Sequence, residues 1–210
     1  QNLAHEFKTP IFAIQGSLDT LLDGAMNDEA AGKKFLENAS RNTSRMVNLV
    51  RDLDEISKLE SGRLPVNKEI FVIQDLIKEV FEAMPLRGFP GDIAYSIKKG
   101  CETAIQVFAD KEKVFQVISN LVENATRYGN AGGHVIASVY KTDAANVLIE
   151  ISDNGIGISE KHLPRLFERF YRTDRGRSRN NGGTGLGLAI CKHIIEAHGQ
   201  SIHARSTEGV

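Results

Sequence analysis

Apolar residues fall at Leu3, Phe7, Ile11, Ile14, Leu18, Leu21 and Ala25, in steps of four and three that mark one stripe of an α-helix. A polar stretch containing Gly24, Asn27, Asp28 and Gly32 interrupts the stripe. Phe35, Ala39, Asn42, Met46, Leu49, Leu53 and Ile56 then resume the same rhythm. The pattern predicts a helical hairpin over residues 1–60. Two helices with one apolar stripe each leave part of both stripes open, so a second copy is expected to complete a four-helix bundle, making the chain a homodimer.

The heptads stop at Ser61-Gly62-Arg63-Leu64-Pro65, whose Gly and Pro mark a linker over 61–66. Beyond it, strand-like runs at 93–97, 135–140 and 147–153 alternate with helical patterns at 72–84, 111–128 and 188–198. Residues 67–210 therefore read as an α/β (α+β) sandwich. Gly199 sits where a helix C-cap glycine belongs.

Composition narrows the function classes. Twenty-six Lys and Arg against 27 Asp and Glu give a net charge of −1, which removes the electrostatic case for nucleic-acid binding. Cys101 and Cys191 lie far apart with no CxxC partner, which indicates neither a disulfide framework nor a zinc site. No apolar run approaches the roughly 18 residues of a membrane span. The chain reads as a soluble, cytoplasmic piece excised from something longer.

Four groups of residues suggest chemistry. On a helix advancing roughly 100° per residue, His5 falls nearly opposite the Leu3/Phe7/Ile11 stripe, with Thr9 one turn on and Glu6 on the flank. Pro10 leaves the Glu6 carbonyl without its helical partner, so a kink beside His5 is expected. An imidazole is a nucleophile only in its neutral form, and a carboxylate placed as Glu6 is could take the proton on the other ring nitrogen of His5. Farther on, Asn120, Asn124, Arg127 and Tyr128 occupy one side of a helix, and Val117, Leu121 and Ala125 the other. Carboxamide oxygens suit Mg²⁺, while an Arg and a Tyr suit phosphate and a purine.

Asp153-Asn154-Gly155-Ile156-Gly157 follows a strand, and its glycines permit a turn that brings backbone close to a ligand, although a plain hairpin or bulge has the same composition. Asp153 there could accept from an adenine amino group. Gly183-Thr184-Gly185-Leu186-Gly187 opens the last helix and presents free N–H groups to a phosphate chain. It matches neither the dinucleotide fingerprint nor a Walker loop. Between them, the Arg-, Gly- and Asn-rich stretch 172–182 suits a lid hinged on Phe167 and Phe170. Arg172, Arg175, Arg177 and Arg179 fit a solvated loop as well as phosphate contacts.

In this order the residues resemble the H, N, G1, F and G2 boxes of the sensor histidine kinases of two-component signalling: His5 to Pro10, Asn120 to Tyr128, Asp153 to Gly157, Phe167 with Phe170, and Gly183 to Gly187. The resemblance implies a dimeric histidine-phosphotransfer bundle joined to a Bergerat-type ATP-binding domain. ATP and Mg²⁺ would be bound there, with Asn124 a direct metal ligand and Asn120 assisting. His5 would be autophosphorylated and would pass the phosphoryl group to an aspartate of a response-regulator receiver domain, with phosphatase activity in reverse. The parent protein is expected to be anchored in the bacterial inner membrane through preceding segments, and a final strand to follow residue 210.

Overall fold

The computed structural model describes residues 3–60, 66–86, 92–173 and 183–209. The predicted linker, save its last residue, therefore lies outside the described residues. Helix α1 (Leu3–Leu22) runs through Pro10 without a break, and α2 (Glu29–Glu60) returns beside it after a 3-10 turn over Ala25–Asn27. The reversal has a local cause. Gly24 takes a left-handed φ of 115°, and Asp28 Oδ1 accepts from the N–H groups of Ala30 (3.0 Å) and Ala31 (3.1 Å), capping α2.

Within one chain the helices meet along Pro10, Ser17 and Leu21. Asn38 donates across this seam to Ser17 Oγ at 2.9 Å. That line is rotated off the predicted stripe, so Leu3, Ile11 and Leu18 stay 43%, 42% and 46% exposed. Half of the stripe is thus spent inside the hairpin and half is left open, which is the arrangement a bundle of two hairpins requires.

The second unit has a mixed sheet. Strand β2 (Ala94–Ile97) pairs parallel with β4 (His134–Lys141), and β4 pairs antiparallel with β5 (Val147–Asp153). A separate ribbon joins β1 (Glu69–Val72) to β3 (Gln106–Ala109). Helices α3 (Ile73–Leu86) and α4 (Lys111–Tyr128) cover one face of the sheet. Ile77, Val80 and Met84 from α3 and Ile118 and Val122 from α4 pack with Val135, Ala137 and Val139 of β4 in one core. The last helix, α5 (Gly187–Ala197), lies against α4 on the side away from that core. It ends in a Schellman motif: Gly199, at φ 75°, donates to the Glu196 carbonyl, and Gln200 donates to that of Ile195.

Candidate functional site

Helix α4 carries the densest set of predicted ligands, and its two neighbours decide what remains free. Asp110 caps it by accepting from Lys113 N–H at 3.0 Å. Val114, Ile118, Val122 and Ala125 enter the sheet core, whereas Val117 and Leu121 turn to a second cluster around α5. Val117, Leu121 and Ala125 are thus split between two cores and do not form the single apolar side expected, because α4 is flanked twice. The strip left over holds Asn120, Asn124 and Arg127, half-buried, and Tyr128, 37% exposed. Asn120 faces the start of α5: its Oδ1 lies 3.3 Å from where a Cβ on Gly187 would stand.

The loop after β5 is tied to the end of α4. Asp153 Oδ1 accepts from Gly155 N–H at 2.8 Å, and Ile156 N–H donates to the Tyr128 carbonyl at 3.2 Å. Asn130 donates to the Asn154 carbonyl, while Asn154 Oδ1 accepts from His134 N–H at the start of β4. Gly155 leaves no room for a side chain, since a Cβ would strike the Tyr128 carbonyl. Gly157 adopts φ 70° and lies equally close to the Thr207 carbonyl. Asp153 keeps an exposed carboxylate beside this rigid turn.

The glycine loop before α5 is fixed at its middle and open at its edge. Leu186 is wholly buried and anchors it, so any ligand contact by Leu186 must come from its backbone. Gly185, at φ 74°, accepts at its carbonyl from Phe170 N–H at 2.8 Å. Phe170 itself holds the left-handed φ of 60°, a strained conformation for an aromatic residue. Behind it, Tyr171 OH is 2.6 Å from His162 Nδ1, and Arg165 stacks over the Tyr171 ring at 4.3 Å. A Cβ on Gly183 would stand 3.0 Å from Arg127 Nη1, which puts a cation against the loop's free backbone. Of the predicted lid, Arg175, Arg177 and Arg179 lie outside the described residues.

The hairpin docks on this same face. Phe7, Leu49, Leu53 and Ile56 pack with Val117, Leu121, Phe170, Leu186, Ile190 and Ile194. Glu55 accepts from Lys113 Nζ at 2.8 Å and Gln116 Nε2 at 2.6 Å. Thr184 Oγ1 donates to Asp52 Oδ2 at 2.7 Å. Burial pushes the Asp52 carboxyl above its ordinary range, with the Thr184 hydrogen bond opposing and nearby Glu55 adding to the rise.

His5 is exposed on α1. Thr9 Oγ1 donates back to the His5 carbonyl at 3.2 Å. Glu6 is ion-paired with Arg45 of α2 at 3.4 Å, their side chains 25% and 13% exposed. Arg45, Asp52 and Glu55 were not singled out from the sequence. Charged residues on a long helix read there as a solvated face, and only their spacing on the Leu49/Ile56 side of α2 hints at an interface.

Among the described residues no cluster of three His, Cys, Asp or Glu side chains forms a metal cage. A divalent ion at this site would draw its protein oxygens from carboxamides. No described helix is long and apolar enough to cross a membrane.

Comparison with known proteins gives two family matches: the His Kinase A (phospho-acceptor) domain over residues 1–62, and the histidine kinase-, DNA gyrase B- and HSP90-like ATPase over 109–210. The sensor histidine kinase WalK of Bacillus subtilis is 36% identical over 99% of this chain and 34% of its own length. The sensor protein kinase WalK of Staphylococcus aureus is also 36% identical, over 99% of this chain and 50% of its length. The chain thus spans a third to a half of these relatives. Among solved structures, the histidine kinase AdeS of Acinetobacter baumannii superposes with a TM-score of 0.74 at 29% identity, covering 98% of this chain and 93% of AdeS. The histidine kinase ThkA, solved in complex with the response regulator protein TrrA, superposes with a TM-score of 0.78 at 25% identity, covering 99% of this chain and 57% of that one.

Proposed function

Because this chain belongs to the two-component sensor histidine kinases, we propose that it transfers the γ-phosphoryl group of Mg·ATP to His5. The phosphohistidine then serves as donor to an aspartate of a response regulator docked on the hairpin of a homodimer. The observation that carries the reading is the junction of the two units: Phe7, two residues from His5, packs against the buried cluster that Leu49 and Ile56 of α2 share with Leu186 of the glycine loop. The phosphoacceptor helix and the loop that would hold phosphates therefore share one face.

The residues on that face fit the nucleotide. A cradle that admits only glycine at Gly155 and Gly185, a guanidinium against Gly183 and an exposed carboxylate at Asp153 match phosphates at one end and an amino-bearing ring at the other. In this reading Asp153 accepts from the adenine amino group, and Tyr128 lies against the purine. The N–H groups of Gly183 to Gly187 and the Arg127 guanidinium take the phosphates. Asn124 and Asn120 offer carboxamide oxygens to Mg²⁺, which supplies charge neutralisation at the phosphates. His5 attacks with a ring lone pair, one P–O bond breaks with its electrons leaving on ADP, and an N–P bond forms.

Two further activities complete the proposal. The ThkA–TrrA complex supports a receiver domain as the phosphoryl acceptor. Thr9, one turn from His5, orients a water in dephosphorylation of that regulator. The test is autophosphorylation of the purified chain with [γ-³²P]ATP. Wild type is expected to gain acid-labile, alkali-stable label and His5→Ala none, with nucleotide affinity little changed. Label that survives on the His5→Ala chain would reject His5.

A further inference from the structure

The junction beside His5 carries more positive charge than the nucleotide loop alone explains. Arg127 comes from α4 and stands against Gly183. Arg172 follows the Phe170–Gly185 staple, its Cγ 3.4 Å from where a Cβ on Gly185 would stand. Arg45 comes from α2, its side chain only 13% exposed, and holds Glu6 at 3.4 Å. Arg172 is half-buried and feels Arg45, Arg127, Glu6 and Tyr128. Burial and the two neighbouring guanidiniums make its protonated form harder to hold. Arg172 thus feels two other guanidiniums, one from α2 and one from α4, together with the Glu6 carboxylate that Arg45 holds.

The Glu6 side chain also has the wrong partner for its assigned task. Glu6 is turned toward Arg45 of α2, whose guanidinium holds it. A guanidinium prefers an anion that offers two oxygens in its plane, and a phosphoryl group offers three. We propose that Arg45 is a phosphoryl-binding residue delivered by the hairpin. Its guanidinium exchanges Glu6 for the γ-phosphoryl group as the two units engage, and the freed Glu6 carboxylate receives the ring proton that His5 sheds. The balance closes: the P–O bond breaks toward ADP, the N–P bond forms on the unprotonated ring nitrogen of His5, and the proton on the other ring nitrogen moves to Glu6. One exchange of partners supplies both charge neutralisation and the base, so the base is freed only when a phosphoryl group is present.

The inference rests on the kinase reading above, and the experiment separates the two. The full dimeric chain is compared as wild type, Arg45→Gln, Arg45→Lys and the charge-reversed pair Arg45→Glu with Glu6→Arg. Calorimetry measures affinity for ADP and for the β,γ-imido analogue of ATP, and radiolabelling measures autophosphorylation. Arg45→Gln is expected to keep its ADP affinity, to lose about tenfold in affinity for the imido analogue, and to label His5 on the order of 10²-fold more slowly. Arg45→Lys should recover part of both losses. The reversed pair rebuilds the α1–α2 ion pair but leaves no cation on α2, so neither the analogue-over-ADP preference nor the labelling should return. Recovery of both in the reversed pair, or an unchanged preference in Arg45→Gln, would reduce Arg45 to a structural staple. A wild-type chain unlabelled on His5 would instead remove the kinase assignment and the role of Arg45 with it.

Discussion

Thr9 has one role in the structure and a second in the proposed function, and an assay separates them. Its hydroxyl donates to the His5 carbonyl at 3.2 Å, the back-bonding habit of threonine in a helix, yet a hydroxyl rotor is free to turn outward when a phosphorylated regulator sits above His5. Loss of a bond this exposed costs the helix little. Thr9→Ala is therefore expected to lose dephosphorylation of the regulator while autophosphorylation stays within a few-fold. A parallel fall in both activities, read side by side with ADP present, would leave Thr9 with the backbone role alone. Glu6 makes the complementary point: the sequence places it beside His5, but only the fold reveals that Arg45 holds it.

At the scale of elements, the glycine loop and the aromatic segment behind it form one device. The Phe170 N–H to Gly185 carbonyl bond joins two residues that both sit at positive φ. A Cβ on Gly185 would come within 3.1 Å of Phe170 Cα. Gly185→Ala is expected to cost about 1–2 kcal/mol from the left-handed backbone alone, and, if the loop N–H groups hold the outer phosphates as proposed, to weaken ATP binding more than ADP binding. Urea unfolding and nucleotide titration measure the two effects, and an unchanged midpoint would show that the loop relaxes around the methyl group.

Much of this level was legible in advance. Residues 111–128 and 147–153 were read from periodicity alone and are α4 and β5 to the residue. The strands β1 and β3 were not read: they are four residues each, and Ile70 and Phe108, paired across the ribbon, are 69% and 67% exposed. Apolar side chains on both faces of the ribbon hide in the sequence the alternation of exposure that β3 shows in the fold. The interface residues of α2 were missed for a different reason. A charge that is half-buried by another unit has the same letter as one in solvent, so Asp52 and Glu55 became visible only with Thr184, Lys113 and Gln116 beside them.

For the molecule as a whole, the docked arrangement is sensitive to charge at Asp52. Burial raises its carboxyl, so the folded, docked state favours the protonated form. The stability it contributes is fully present below the ordinary carboxyl range and is lost as pH rises through the raised value. At neutral pH the ionised group is a cost. Asp52→Asn keeps an oxygen for Thr184 and removes the charge, so its melting temperature should exceed that of wild type near pH 7, with the gap closing as pH falls below about 4. An equal or lower value at pH 7 would mean that the hydrogen bond from Thr184 outweighs the burial.

The second core offers one more consequence. Cys191 is completely buried in the cluster shared by α2, α4 and α5, and burial pushes its thiol up to about 12, so in the docked state it does not react. Cys101 is buried elsewhere, among residues that support the sheet unit. The pair forms a chemical clock with its own reference hand. Thinning the docking face with Leu53→Ala should hasten alkylation of Cys191 and leave Cys101 at its former pace, whereas equal acceleration at both would report unfolding of the whole chain. Timed against added nucleotide, the same clock counts how often the hairpin lets go.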